Sequence, residues 1–191
     1  QGLLGKVTGK VVSQYDERSY VINDGSGDIL VFTDGYIENQ GEKVKVPTLT
    51  KGDMYEAVGL TGEFADGKRI RVRDTKELRA LLDTPVISGE VKDDTTKITG
   101  TAEEGSTIIV TSGDKEIGRA TTDVNGSFTV DIKPQIGVTK LKLIAKVGDK
   151  ESMIVTIPVI DTTAPDKPEV GQVTDQSKTV TGKAEVGSTV T

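Results

Sequence analysis

The chain has 191 residues, 24 Lys and Arg against 30 Asp and Glu, a net charge of −6, and no Cys, His or Trp. This composition excludes a disulfide framework, a thiolate nucleophile, a Ser-His-Asp triad and a zinc finger, and it restricts any metal site to oxygen ligands of the kind calcium or magnesium takes. Both halves are acidic, with 12 basic and 14 acidic residues up to Asp83 and 12 and 16 beyond it, so a polyanion site has to be local.

Alternation of apolar and polar residues at period two runs through the chain. Residues 6–12 read as a strand with Val7 and Val11 on one face. Residues 19–23 and 28–33 read as two more, joined by Asp24-Gly25-Ser26-Gly27, a hairpin turn whose glycines supply positive φ. Residues 36–50 are polar, carry Gly41 and Pro47, and read as an excursion with a short strand around Val44 and Val46. Lys51-Gly52-Asp53 turns into a long strand at 54–64, where Gly59 and Gly62 permit the bend of a barrel strand. Ala65-Asp66-Gly67-Lys68 is a second hairpin turn, followed by alternation at 69–73 with Ile70 and Val72 on one face. Asp74 and Glu77 make a capping box, which predicts a short helix burying Leu78, Leu81 and Leu82.

From Pro85 the texture changes. Seven strand-like runs recur every ~8–12 residues, the spacing of an all-β sandwich. They lie at 86–91, 97–102, 107–111, 115–121, 127–132, 140–147 and 152–160. Ser112-Gly113-Asp114 and Val124-Asn125-Gly126 are tight turns, and Phe128, the one aromatic in this half, is the expected core anchor. An internal repeat is the strongest organisational signal. The run Ile98-Thr-Gly-Thr-Ala-Glu-Glu-Gly-Ser-Thr107 returns as Val180-Thr-Gly-Lys-Ala-Glu-Val-Gly-Ser-Thr189, an offset of 82 residues, and Gly89, Val91 and Asp93 align with Gly171, Val173 and Asp175. The linker at 161–168 contains Pro165 and Pro168, which favour an extended, semi-rigid connection. The second copy covers about two strands and cannot close a core by itself, so its strands are expected to pair with something else, such as a neighbouring molecule.

Two resemblances follow from these residues. Gly5-Lys-Val-Thr-Gly-Lys-Val-Val12, Tyr20-Val-Ile-Asn-Asp-Gly-Ser-Gly-Asp-Ile-Leu-Val31 and Lys51-Gly-Asp-Met-Tyr-Glu-Ala-Val-Gly59 resemble an OB-fold domain of exported Gram-positive bacterial proteins, a type that accompanies nucleases and nucleotidases. The resemblance implies an oligonucleotide or oligosaccharide platform on the second and third strands. The chain departs from that pattern in having the polar stretch 36–50 where a helix is expected. Gly100-Thr-Ala-Glu-Glu-Gly-Ser-Thr107, Asp123-Val-Asn-Gly-Ser-Phe128 and Asp161-Thr-Thr-Ala-Pro165 resemble a bacterial Ig-like domain. That resemblance implies a tandem spacer or adhesive stalk on a secreted or wall-attached protein.

The candidate ligand-binding residues are Tyr15, Tyr20, Phe32, Tyr36, Arg69, Arg71 and Arg73. Three arginines at strand spacing can follow a phosphate backbone or an acidic polysaccharide, and Lys68, Lys76 and Arg79 extend the basic cluster. The alternative is a solvated strand face, balanced by Glu63, Asp66, Asp74 and Glu77, that discourages edge pairing. The aromatics can stack bases or sugars, or they can fill the barrel core. Asp24, Asp28 and Asp34, and separately Asp161, Asp166 and Asp175, can offer oxygens to calcium, although Asp in Asp-Gly turns also serves turn geometry alone. Neither set has the spacing of an EF-hand loop. No pair among the 30 acidic residues is marked out for glycoside hydrolysis, and no phosphate-binding Gly-Lys-Ser/Thr loop is present. An intramolecular Lys–Asn or Lys–Asp amide bond is a further option that composition leaves open.

The expected fold is all-β. A five-stranded OB-like barrel with a short C-terminal helix spans 1–83, a bacterial Ig-like β-sandwich spans 84–161, and a linker with the first strands of a second, truncated Ig-like repeat spans 162–191. The sequence opens on Gln1 with no signal peptide and reads as a piece of something longer. No apolar run approaches the ~18 residues of a membrane helix, so membrane insertion is not expected. The expected function is a non-catalytic binding and spacer region of a secreted or cell-surface bacterial protein, such as one in a Gram-positive cell wall, without catalytic residues or a cofactor. The alternative is the accessory region of an exported nuclease or nucleotidase whose catalytic domain lies elsewhere, with the barrel binding single-stranded nucleic acid. A polysaccharide is the other candidate ligand of the barrel.

Overall fold

A computed structural model describes residues 3–39, 41–45, 48–65, 67–184 and 188–191. The first seven strands are β1 (Leu4–Asp16), β2 (Ser19–Asn23), β3 (Asp28–Asn39), β4 (Glu42–Lys45), β5 (Met54–Phe64), β6 (Gly67–Asp74) and β7 (Leu78–Leu81). β1 is long enough to serve two neighbours. Leu4 to Lys10 pair with β5, and Lys10 to Asp16 pair with β2. Together with β2–β3, the parallel β3–β6 pair and β5–β6, this closes a five-stranded barrel in the order β1-β2-β3-β6-β5-β1. The inward positions of the alternating pattern supply its core: Val7, Val11, Tyr20, Ile22, Val31, Leu49, Ala57, Ile70, Val72 and Leu78. Burying each large aliphatic side chain contributes ~1.5–3 kcal/mol. Closure brings β5 hard against β6 at Gly59, where a Cβ would fall 2.1 Å from the Arg71 carbonyl oxygen. The glycine there serves close approach.

Two expectations change here. The excursion at 36–50 begins as a continuation of β3 to Asn39, which folds back as β4 with Tyr36 opposite Lys45 and Asn39 opposite Glu42. The expected strand around Val44 is this hairpin arm, while Val46 and Pro47, like Asp66 of the second turn, lie outside the described residues. The helix expected after Asp74 is a single 3₁₀ turn, Thr75–Glu77. Its capping box is real: the Asp74 carboxylate accepts from the Lys76 amide at 2.8 Å, and the Glu77 carboxylate accepts from the Asp74 amide at 3.3 Å. The chain then extends as β7, with Leu78 opposite Ala57 and Leu81 opposite Met54. β6 covers β5 only from Leu60 to Phe64. The Met54–Ala57 stretch therefore has hydrogen-bonding groups left for a strand, and the obligation to pair them outweighs a helix start signal.

The second group comprises β8 (Val86–Ser88), β9 (Val91–Lys92), β10 (Lys97–Thr101), β11 (Thr107–Ser112), β12 (Lys115–Thr121), β13 (Ser127–Asp131), β14 (Lys140–Val147), β15 (Lys150–Glu151) and β16 (Val155–Ile160). They form a sandwich of β13-β10-β8 over β12-β11-β14-β16-β9, with β15 paired to β14. The first expected run is cut at Gly89, whose φ of +81° suits glycine. The cut sends β8 to one sheet and β9, in parallel with β16, to the other. Ile98, Ile108, Val110, Phe128, Val130, Leu141 and Leu143 fill the space between the sheets. Phe128 is the expected anchor and is buried. The turn after β10 is locked by a buried pair: the Ser106 and Thr122 hydroxyls lie 2.6 Å apart, and Thr122 also donates to the Ser106 carbonyl.

The barrel is tied to the sandwich through two consecutive leucines. Leu81 is buried at the end of β7, and Leu82 joins the sandwich core. The Leu82 amide donates to the Glu151 carbonyl at 3.0 Å, and Lys10 Nζ contacts the Asp83 carboxylate at 3.1 Å. Among its described residues, the second copy of the repeat contributes only β17 (Glu169–Val170) and β18 (Gly182–Lys183), an exposed two-residue pair. Its residues 185–187 lie outside the described residues. Among the described residues no helix is long and apolar enough to cross a membrane.

Candidate binding surface on the barrel

Parity along the strands decides which sequence candidates face outward. Ile70 and Val72 point into the core, so Arg69, Arg71 and Arg73 occupy the outer face of β6. Val31 and Thr33 are buried on β3, so Phe32 points outward, and the parallel register sets it opposite Arg71. On its other side Phe32 faces Ser19, which faces Asp16. One row therefore crosses the barrel as Asp16, Ser19, Phe32, Arg71 and Leu60. The Arg69 guanidinium carbon lies 4.8 Å from the centre of the Phe32 ring, a cation–π distance. Ser19 is 1% exposed, and its hydroxyl has no hydrogen-bond partner among the described residues.

The structure brings together only some of the candidates. Phe32, Arg69 and Arg71 form one patch. Arg73 is committed locally: its guanidinium pairs with Glu77 Oε1 at 2.9 Å, and its amide donates to Glu77 Oε2 at 2.6 Å. Tyr20 is 4% exposed and part of the barrel core, so it cannot stack a ligand. Its position opposite Val31 explains this, since both belong to the inward set. Tyr15 is exposed near the far end of β1, between Gln14 opposite Tyr20 and Asp16 opposite Ser19. The Tyr36 side chain lies outside the described residues. Tyr55, which the sequence did not single out, packs against the core, and burial followed by the Asp53 charge raises its phenol above the usual value.

Among the acidic candidates, Asp24, Asp28 and Asp161 accept hydrogen bonds from residues of their own turns, Asp161 from the Thr163 amide at 3.2 Å. Asp24 accepts from the Ser26 amide and hydroxyl at 2.9 and 2.6 Å, which lowers its carboxyl. Asp28 accepts from Asn23 Nδ2 at 2.5 Å. The Asp34 side chain lies outside the described residues. Among the described residues no group of three or more carboxylates is placed to hold a metal. No lysine whose side chain is described is buried, and Lys97 forms a solvated ion pair with Asp131 at 2.6 Å. A separate groove of about 490 Å³ opens over β1 beside Lys10, Val12, Asn23, Asp24, Lys51 and Met54, and Asp24 is the one candidate residue that lines it.

The fold class defined by these features is a closed five-stranded β-barrel followed by an Ig-like sandwich. Residues 84–161 match the family described as Bacterial Ig domain (Big_6). No curated protein sequence matches the chain. A solved structure described as "Biofilm associated protein - BSP domain" is 21% identical, with a TM-score of 0.40, and the alignment covers 84% of this chain and 26% of that one. The chain thus spans about a quarter of that structure's length.

Two elements escaped the sequence reading. The pairing of Arg69 with Phe32 depends on the parallel β3–β6 register, which no local pattern encodes. The partners of Asp93, described below, come from residues about 70 positions away. The available signal was an Asp inside the repeat and an Asp-Thr-Thr at the linker root.

Proposed function

We propose that this chain is a non-catalytic spacer and binding region of a bacterial cell-surface or secreted protein. The sandwich spaces, and the barrel recognises. The observation that carries the reading is the Ig-domain match over 84–161 together with the recurrence of the same motif 82 residues later. Tandem sandwiches of this kind extend a chain by stacking units that each hold their own core. The Leu82 junction supports the presenting role, because the barrel then moves with the sandwich instead of trailing from a loose tether.

The barrel surface offered to a ligand is the Phe32–Arg69–Arg71 patch with the buried Ser19 hydroxyl beside it. An aromatic ring backed by guanidinium groups suits a flat or anionic chain, and an acidic polysaccharide of a surface layer fits that chemistry. Titration of the full chain with a fluorescent acidic polysaccharide and with labelled single-stranded DNA, each at two salt concentrations, tests the reading. Salt-sensitive polysaccharide binding that Arg71→Ala weakens is the expected result. Preference for single-stranded DNA would support an accessory role beside an exported nuclease or nucleotidase. Absence of binding to both at low salt would leave the barrel as part of the spacer.

A further inference from the structure

We propose that Asp93 is a clasp that fixes the direction in which the chain leaves the sandwich. Asp93 follows β9, which runs parallel to the exit strand β16 with Val91 opposite Val159 and Lys92 opposite Ile160. The Asp93 amide continues that ladder by donating to the Ile160 carbonyl at 3.0 Å. Its carboxylate then reaches past the end of the strand to the linker root. Oδ1 accepts from the Thr162 hydroxyl at 2.6 Å, and Oδ2 accepts from the Thr163 amide at 3.0 Å and from the Thr163 hydroxyl. One carboxylate therefore gathers three donors from two consecutive linker residues, besides the Asp94 amide at 3.1 Å on Oδ1, and hydrogen bonds to an ionised acceptor are the stronger kind. These bonds hold the Asp93 carboxyl far below the usual aspartate range.

The base of the clasp is fixed from below. The Asp93 carbonyl accepts from the Gln135 amide at 3.2 Å. The turn around Asp93 is closed by the Lys92 amide donating to the Thr95 hydroxyl at 2.8 Å and by the Thr95 amide donating to the Lys92 carbonyl at 3.0 Å. The same turn appears 82 residues later. The Thr174 amide donates to the Ser177 hydroxyl at 2.9 Å, the Ser177 amide donates to the Thr174 carbonyl at 3.0 Å, and Asp175 stands where Asp93 does. The turn is reproduced although the apolar residues around it are exposed in the second copy, so it is a local property of the sequence.

The consequence is mechanical. Pro165 and Pro168 stiffen the middle of the linker, but its root at 161–163 has no proline, and the Thr163 amide's other contact, to Asp161 Oδ1 at 3.2 Å, lies within the root and does not tie it to Asp93. With Thr162 and Thr163 held to the sandwich, the next module leaves in one direction. The clasp stands on these contacts alone. Its use in stiffening a stalk rests on the spacer reading, and the experiment below tests the clasp independently of any ligand.

The test is ¹⁵N relaxation and amide exchange on the full chain. Thr162 and Thr163 should show order parameters of ~0.85, as in rigid backbone, while Lys167 is lower. In Asp93→Ala both threonines should fall below ~0.6, and the Thr163 amide should exchange about tenfold faster or more, with Val130 and Leu143 still protected. The Thr162→Val/Thr163→Val variant keeps the carboxylate, removes the hydroxyl donors and should loosen the root to a lesser degree. It decides the matter if Asp93→Ala fails to fold. Native threonines as loose as Lys167, or a root equally ordered in native and folded variant chains, would overturn the clasp.

Discussion

Val91, Ile98 and Ile108 in the first copy of the repeat are 4%, 1% and 0% exposed, whereas their equivalents Val173, Val180 and Val190 in the second are 54%, 68% and 65% exposed. The motif is nearly the same, so the difference lies in what surrounds it. In the first copy β10 pairs with β13, β11 with β14, and β9 with β16, and these partners supply the opposing apolar faces. In the second copy, among the described residues, only β17 and β18 meet. What survives there is what neighbouring residues build among themselves, such as the Thr174–Ser177 turn. Register does not survive. Gly100 faces Ile87 in the first copy, but Gly182 faces Val170, the equivalent of Ser88. Register is strongly specified only where a one-residue slip would expose a buried face.

The contrast can be broken by truncating equivalent side chains. Ile98→Ala should cost ~2–5 kcal/mol in urea unfolding of the sandwich. Val180→Ala, its counterpart, should stay within ~0.5 kcal/mol, as surface substitutions do. A comparable loss at both positions would mean that the second copy has a core. Leu82→Ala sharpens the boundary between barrel and sandwich. It should cost about 2 kcal/mol, and the amides of Val130 and Leu143 should lose protection while those of Val31 and Ile70 keep it. Asp74→Ala removes the cap of a single turn and should cost ~1 kcal/mol, read from the barrel transition.

The smallest effect concerns acidity. A carboxyl whose folded pKa is depressed contributes stability above its unfolded value of ~3.9 and loses it as pH falls through the folded value. Hydrogen bonds from the Thr162 and then the Thr163 side chain lower the Asp93 carboxyl. Protection of the Thr163 amide, corrected for intrinsic exchange, should therefore hold from pH 7 down to pH ~4. It should fail only in stronger acid. Loss of protection between pH 7 and 5 would point to a different titrating group.

Legibility followed the range of the interactions. Alternation placed the barrel and sandwich strands well, because period-two burial is written residue by residue along 69–73 and 127–131. The capping box at Asp74 was equally legible, but it specifies a start and not an extent, and the unpaired stretch of β5 decided that Leu78–Leu81 became a strand. Tyr20 shows the limit for the candidate surface. Its type suits either a platform or a core, and only its register with Val31 assigns it to the core. The same holds for Phe32 and Arg69, whose contact is created by a parallel pairing between segments nearly 40 residues apart.

The most direct measurement is site-resolved amide exchange across the full chain, comparing residues 97–101 with residues 179–183. A folded, core-bearing first copy beside a second copy that is locally turned but unpacked predicts strong protection in the first segment and exchange near the unfolded rate in the second. Equal protection in both segments would contradict it, because it would require the exposed Val180 and its neighbours to be buried in solution.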